Sequence, residues 1–193
     1  GLIFVNIKNM SYDFSEFKKQ LISIEDWLKK EYSGLRTGRA SVAILDSVFV
    51  EAYGSKMPLN QSATLSVEDA RTIRVSPWDK SLVGPMEKAI SLADLGVSTV
   101  ADGEGLRVIF PALTTETREK LVKVAKNKTE EAKISVRNDR GETIKAIEAA
   151  QKNGEMSEDD AKRNKDTVQK FVDEANVKLD ILFKEKEQEI LCQ

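Results

Sequence analysis

A chain of 193 residues, 40% hydrophobic and 32% charged, has room for one large domain or two small ones and enough apolar content for a packed core, which argues against disorder. With no histidine and a single cysteine, Cys192, it can build neither a Cys/His metal site, nor a Cys–His nucleophile pair, nor an internal disulfide, and a reducing, cytosolic compartment fits best. The net charge of −2 hides a segregation: Ala43 to Leu113 carries six basic and nine acidic residues, Thr114 to Asn153 ten and seven, and Gly154 onward seven and eleven, so any polyanion contact should be local to the middle of these stretches.

In chain order, Gly1 to Ile7 is apolar but lacks a basic flank and a small-residue cleavage site, and it is too short to span a bilayer. Residues 1–9 read as an appended or extended start, with Met10 the natural first residue. Phe14, Phe17, Leu21, Ile24, Leu28 and Tyr32 then step by three, four, three, four and four, which predicts a first amphipathic helix. It ends in Leu35-Arg36-Thr37-Gly38-Arg39-Ala40-Ser41, where Arg36 and Arg39 suit a helix C-terminus and equally suit an anionic partner.

The pattern changes over the next seventy or so residues, which read as a small mixed domain. Val48, Val50 and Ala52 alternate with Phe49, Glu51 and Tyr53, a half-buried strand that stops at Gly54. Thr72 to Val75 predicts a second strand, ended by Ser76-Pro77. Leu82, Met86, Ile90 and Ala93 recur at helical spacing, with Pro85 in the first turn and Gly96 as a cap. Asp102-Gly103-Glu104-Gly105 is a turn into a closing strand, Leu106 to Phe110; it lacks the Gly-Lys-Ser/Thr end of a phosphate loop.

Two helices of roughly fifty ångströms follow, Thr115 to Lys152 and Ser157 to Leu191, at about 1.5 Å rise per residue. Leu121, Ala125, Ala132, Val136, Ile147 and Ala150 form the buried stripe of the first. Ala161, Val168, Val172, Ala175, Leu179 and Leu182 form the seam of the second, stepping by seven, four, three, four and three as in packed, supercoiled helices. Ser157 with Asp160 resembles a capping box, and Glu158, Asp159 and Asp160 fan around a helix start instead of converging as an acid–base pair. Together with the first helix these two complete a three-helix bundle. The small domain is inserted into one connection, through crossings near Gly38 to Ser41 and Pro111 to Leu113 that permit a hinge as readily as a fixed elbow.

Lys126, Lys133, Arg137 and Arg140 are separated by seven, four and three, so they share a face beside the buried stripe, flanking the core without being consumed by it. Arginine forks pair with phosphate oxygens bidentately, and such a row can track a nucleic-acid backbone; the plain reading is a solvated helix face. Neither Arg137 nor Arg140 has an acidic residue four positions before it, and Gly141 is a helix-interior glycine that marks a bend or a close approach. Aromatics are few, and Trp27 and Trp78 are isolated, so base stacking is not indicated.

Several strings, in order, resemble the bacterial ribosome recycling factor family: Leu35-Arg36-Thr37-Gly38-Arg39-Ala40-Ser41, Val50-Glu51-Ala52-Tyr53-Gly54, Pro58-Leu59-Asn60-Gln61, Asp79-Lys80-Ser81, Met86-Glu87-Lys88-Ala89-Ile90, Asp94-Leu95-Gly96, Pro111-Ala112-Leu113-Thr114, and Val136-Arg137-Asn138 with Arg140. The resemblance runs from about Met10 to the C-terminus. It implies an L-shaped, transfer-RNA-sized α+β protein, with an elongated three-helix bundle (residues 10–40 and 112–193) and a β/α/β domain (41–111) inserted after the first helix. It also implies a non-enzymatic cytoplasmic factor without cofactor, metal or membrane contact, expected as a monomer. Such a factor enters the post-termination ribosome and, with elongation factor G and that partner's GTP hydrolysis, separates the subunits so that messenger and deacylated transfer RNA leave. On this resemblance Arg137 and Arg140 match RNA-contacting arginines, Arg118 matches a third, and Arg36 and Arg39 match basic residues at the helix end; Lys126 and Lys133 extend the row. Residues Gly38, Arg39, Ala40, Ser41, Pro111, Ala112 and Leu113 are the expected hinge. After Arg140 the family commonly has another arginine and then an acidic residue, where this chain has Gly141-Glu142-Thr143. The residues alone leave a second class open, a helical adaptor that binds a protein through its heptad surface, and salt dependence separates the two.

Overall fold

The computed structural model describes residues 12–192; the expectation that residues 1–9 are an appended start falls outside them. The elements in chain order are α1 (Ser15–Ser33), β1 (Phe49–Ala52), β2 (Ser55–Pro58), α2 (Leu59–Ser62), β3 (Ala63–Asp69), β4 (Thr72–Pro77), α3 (Val83–Leu92), β5 (Ser98–Asp102), β6 (Gly105–Ile109), α4 (Thr115–Lys152) and α5 (Glu158–Leu191). This is the α+β content expected. By contacts the chain divides into two units: residues up to Lys29 with Lys126–Lys184, and Lys30–Ala125 with the residues from Glu185 onward.

The first unit is helical, and its buried apolar residues are drawn from the positions picked out by periodicity, although Leu21 and Ala175 of those positions are only half-buried. Phe17, Ile24 and Leu28 of α1 are buried with Ala132, Val136 and Ile147 of α4 and Ala161, Val168, Val172 and Leu179 of α5. Phe171 on α5 meets Phe14 edge-on at 5.6 Å and Phe17 at 6.5 Å, so aromatic rings close the α1–α5 contact. Orphan amides at the helix starts are taken up by side chains: Asp13 accepts from the Ser15 amide at 2.9 Å and Ser157 from the Asp160 amide at 3.1 Å. Between α4 and α5, Gly154 adopts φ +76°, and the Glu155 amide reaches back to the Ala150 carbonyl at 2.9 Å, the backbone reversal that favours glycine after a helix end.

The second unit is built on a four-stranded antiparallel sheet of order β3-β4-β6-β5, with β1 and β2 as a separate hairpin. Val48, Val50, Ala52, Ile73, Val75, Leu106, Val108 and Phe110 pack with Met86 and Ile90 of α3 into one core. The β1–β2 turn, Tyr53-Gly54, has φ of +53° and +80°, the left-handed pair that matches hairpin twist; the Tyr53 hydroxyl donates to Asp79 at 2.5 Å and holds the non-glycine residue there. A Cβ on Gly105 would lie 2.3 Å from the Val75 carbonyl oxygen, so β6 can begin against β4 only with glycine. The strand and helix signals around 48–54, 72–77, 82–93 and 105–110 are all realised. Strands β2, β3 and β5 are additions that periodicity did not reveal.

The ends of the insert are tied to one turn. The Ala40 amide donates to the Ala70 carbonyl and the Phe110 amide to the Arg71 carbonyl, both at 2.8 Å. These two bonds seat the incoming and outgoing strands of chain beside each other on the β3–β4 turn.

Candidate nucleic-acid interface

In the helical unit, α4 carries Lys126, Lys133, Arg137 and Arg140 along one side because their spacing keeps them near a common angular position at 100° per residue. Lys126 and Arg137 are exposed, and among the described residues neither has a hydrogen-bond or ion-pair partner. The other two also flank the core and are tied to the neighbouring helix. Lys133 Nζ pairs with Asp180 Oδ1 of α5 at 2.6 Å. Arg140 Nε donates to Gln169 Oε1 of α5 at 2.8 Å, and Gln169 in turn donates to Asp173 at 2.8 Å. A scan along α4 alone could not find these partners, since they sit on the neighbouring helix.

Arg140 remains chemically open at its far end. The Gln169 contact uses Nε, and neither terminal nitrogen has a partner among the described residues. A guanidinium anchored at Nε keeps its outer pair of N–H groups for a bidentate acceptor and loses less rotamer freedom on binding. Asp139, between the two arginines in sequence, is half-buried and makes no ion pair with either among the described residues, and burial pushes its carboxyl above its ordinary value. Gly141 lies beside them with nothing within 4 Å of a would-be Cβ. The close approach that sequence suggested for this glycine is therefore not made within the chain, and α4 runs through it unbroken.

The remaining basic residues sit in the other unit. Arg118 is 8% exposed, with Nε on the Leu113 carbonyl at 3.3 Å and Nη1 on the Ile190 and Leu191 carbonyls at 3.1 and 2.9 Å. It caps the last turn of α5 with its charge, a favourable arrangement at a helix C-terminus, and in this conformation it offers nothing to an outside anion. Arg36 is partly buried, donating to the carbonyls of Gly96 at 3.2 Å and Pro111 at 2.7 Å. Arg39 is exposed and its side chain has no partner among the described residues.

Of the expected hinge residues, Ala40 is held by its amide, Ser41 accepts from the Ile44 amide at 3.2 Å, and Leu113 is buried with its carbonyl on Arg118. Gly38, Ala112 and the backbone of Arg39 make no backbone–backbone hydrogen bond among the described residues, whereas the Pro111 carbonyl is taken by Arg36. No helix among the described residues is long and apolar enough to cross a membrane.

A ribosome recycling factor family model matches residues 28–191 of this chain. The ribosome-recycling factor of Bradyrhizobium diazoefficiens is 48% identical over 181 residues, spanning 94% of this chain and 96% of that protein. A solution structure of a ribosome recycling factor superposes with a TM-score of 0.72 at 37% identity, covering 93% of this chain and 96% of its own. A second structure, 38% identical with a TM-score of 0.63 and covering 92% of this chain and 96% of its own, belongs to a description of the T. thermophilus ribosome recycling factor and E. coli elongation factor G bound to the E. coli post-termination complex.

Proposed function

Because this chain belongs to the ribosome recycling factor family, we propose that it acts on the post-termination ribosome and, with elongation factor G, separates the subunits so that messenger and deacylated transfer RNA leave. It is a non-catalytic cytoplasmic translation factor, and the hydrolysed GTP belongs to its partner. The bundle lies against large-subunit ribosomal RNA through Lys126, Arg137 and the outer nitrogens of Arg140, with exposed Arg39 as a further contact. Lys133, Arg118 and Arg36 act from behind, as internal ties. Rotation at the crossings near residues 36–39 and 111–112 couples the partner's push to the separation of subunits.

The observation that carries the RNA contact is the open state of Arg137 and of the Arg140 terminal nitrogens, beside exposed Lys126, along one side of α4. Arg118 in its buried position finds backbone acceptors, whereas exposed Arg137 and the outer end of half-buried Arg140 have none among the described residues. Co-sedimentation with vacant ribosomes over a salt series tests it: phosphate-driven binding should weaken steeply as salt rises, with a slope set by the number of contacts. Salt-indifferent binding would instead favour an adaptor docking through apolar surface, for which a 310 Å³ groove lined by Leu21, Ile22, Phe171 and Leu179 is the available site.

A further inference from the structure

The two crossings between insert and helices are bridged by one side chain. Arg36 leaves the end of α1 and places Nη1 on the Gly96 carbonyl, at the turn between α3 and β5, and Nη2 on the Pro111 carbonyl, at the exit of β6. Its Cζ stands 5.4 Å from the Phe110 ring centroid, adding a cation–π contact to the same strand end. Gly96 is in the left-handed region, φ +68°, and its would-be Cβ lies 3.7 Å from Arg36 Nη1, so the turn presents its carbonyl to the fork without a side chain between them.

We propose that Arg36 is the latch of the hinge: its fork, bonded at once to Gly96 and Pro111, holds the first crossing against the second, and its release frees both to turn. This rests on the reading that the crossings rotate during recycling. Beyond the amide bonds at Ala40 and Phe110, no backbone–backbone hydrogen bond restrains residues 36–39 or 111–113 among the described residues. The tie across the gap is therefore a side chain, able to leave without breaking strand or helix.

The latch is shallow as well as specific. Two charge-assisted bonds favour closure, but Nε is buried without a partner among the described residues, and burial pushes the guanidinium below its ordinary value. Opening hydrates Nε and the charge, which offsets part of what the two bonds contribute. Such a balance is what a hinge element poised between two states requires. Lysine, a point charge without a fork, cannot reach both carbonyls together.

The test uses the full chain. In the wild type, nitrogen-15 spectra of the Arg36 guanidinium should show hindered rotation with separate Nη signals; free rotation overturns the latch. Distance distributions between spin labels at Val67→Cys and Ile134→Cys, both exposed in the native chain, with Cys192→Ser, are then compared for wild type, Arg36→Lys and Arg36→Gln. Broadening in folded Arg36→Lys, with Arg36→Gln at least as broad, upholds the latch, and an unchanged distribution in Arg36→Lys overturns it. Arg36→Lys should keep its ribosome affinity and salt slope within about twofold while the rate of subunit splitting with elongation factor G changes at least fivefold. Broadening with unchanged splitting upholds the latch and removes rotation from the recycling reading. Unchanged distances with lost splitting remove the latch and leave that reading intact.

Discussion

On the sheet, Arg74 of β4 stands directly opposite Arg107 of β6, a like-charge pair that would be destabilising alone. Edge strands neutralise it: Arg74 reaches Asp102 of β5 at 2.7 Å, and Arg107 reaches Glu68 of β3 at 2.9 and 3.0 Å. On α4, Arg137 and the outer end of Arg140 have no such answer among the described residues. The same side chain thus does local work in one region and waits for an external partner in the other. Regional composition already separates the two uses: Ala43 to Leu113 has nine acidic against six basic residues and supplies its own counterions, while the middle helix carries the basic surplus.

The contrast can be broken most strongly by reversing the open arginines. Arg137→Glu combined with Arg140→Glu should weaken ribosome binding about a hundredfold and lower the salt slope by about two, at a stability cost of about 1 kcal/mol from the lost Arg140–Gln169 bond; unaltered sedimentation would place these arginines among the solvated majority. Next comes Arg118→Ala, which strands the Ile190 carbonyl and loosens the end of α5. Urea unfolding should register about 2 kcal/mol, while the salt slope of ribosome binding stays unchanged.

Gly141 sharpens the comparison with smaller effects. Gly141→Ala should stabilise the chain by about 1 kcal/mol, since glycine inside a helix is unfavourable and space for a methyl is open; weaker ribosome binding by that variant would mean the glycine serves a close approach of RNA. Gly141→Arg adds a cation next to Arg140 and should steepen the salt slope by about one.

The smallest effect is acid dependence, and it has opposite sign in the two regions. Arg74 holds the Asp102 carboxyl below its ordinary 3.8, so this pair's stabilisation is present above 3.8 and is lost as pH falls through the depressed value. Burial raises Asp139 on α4, so its penalty is present at neutral pH and is relieved as pH falls through the raised value. Unfolding curves of Arg74→Gln and wild type should therefore converge in acid, whereas Asp139→Asn should exceed wild type at neutral pH and lose that advantage on acidification.

The legible parts of the fold share a physical cause. Strands β4 and β6 are the central pair of the sheet and must alternate or run apolar, and both were visible in sequence. The edge strands β3 and β5 are exposed over most of their length, β3 burying only Ala63 and β5 no residue, so no periodic signal reached the sequence. The long helices were visible to within a residue because thirty-odd positions repeat one period. In the site, the cationic row of α4 followed from spacing alone. The tasks of Arg36 and Arg118 did not, since their acceptors are backbone carbonyls, which every residue has and no motif records. The ties of Lys133 and Arg140 were not legible for a related reason: Asp180 and Gln169 lie on another helix, at sequence distances no local rule scans.

The pair of amide bonds that seat Ala40 and Phe110 on Ala70 and Arg71 bears on how the chain finds its fold. Helix α1 is separated from α4 by a tether of about eighty residues, and closing a loop of that length is entropically slow and unfavourable. Once the sheet forms, those two bonds shorten the effective tether to about a dozen residues, which by the logarithmic scaling of loop entropy recovers about 1.5–2 kcal/mol. The insert thus serves as a molecular splint during assembly: α4 and α5 can pair through their short turn at once, and α1 joins them when the sheet has brought its end to the right place.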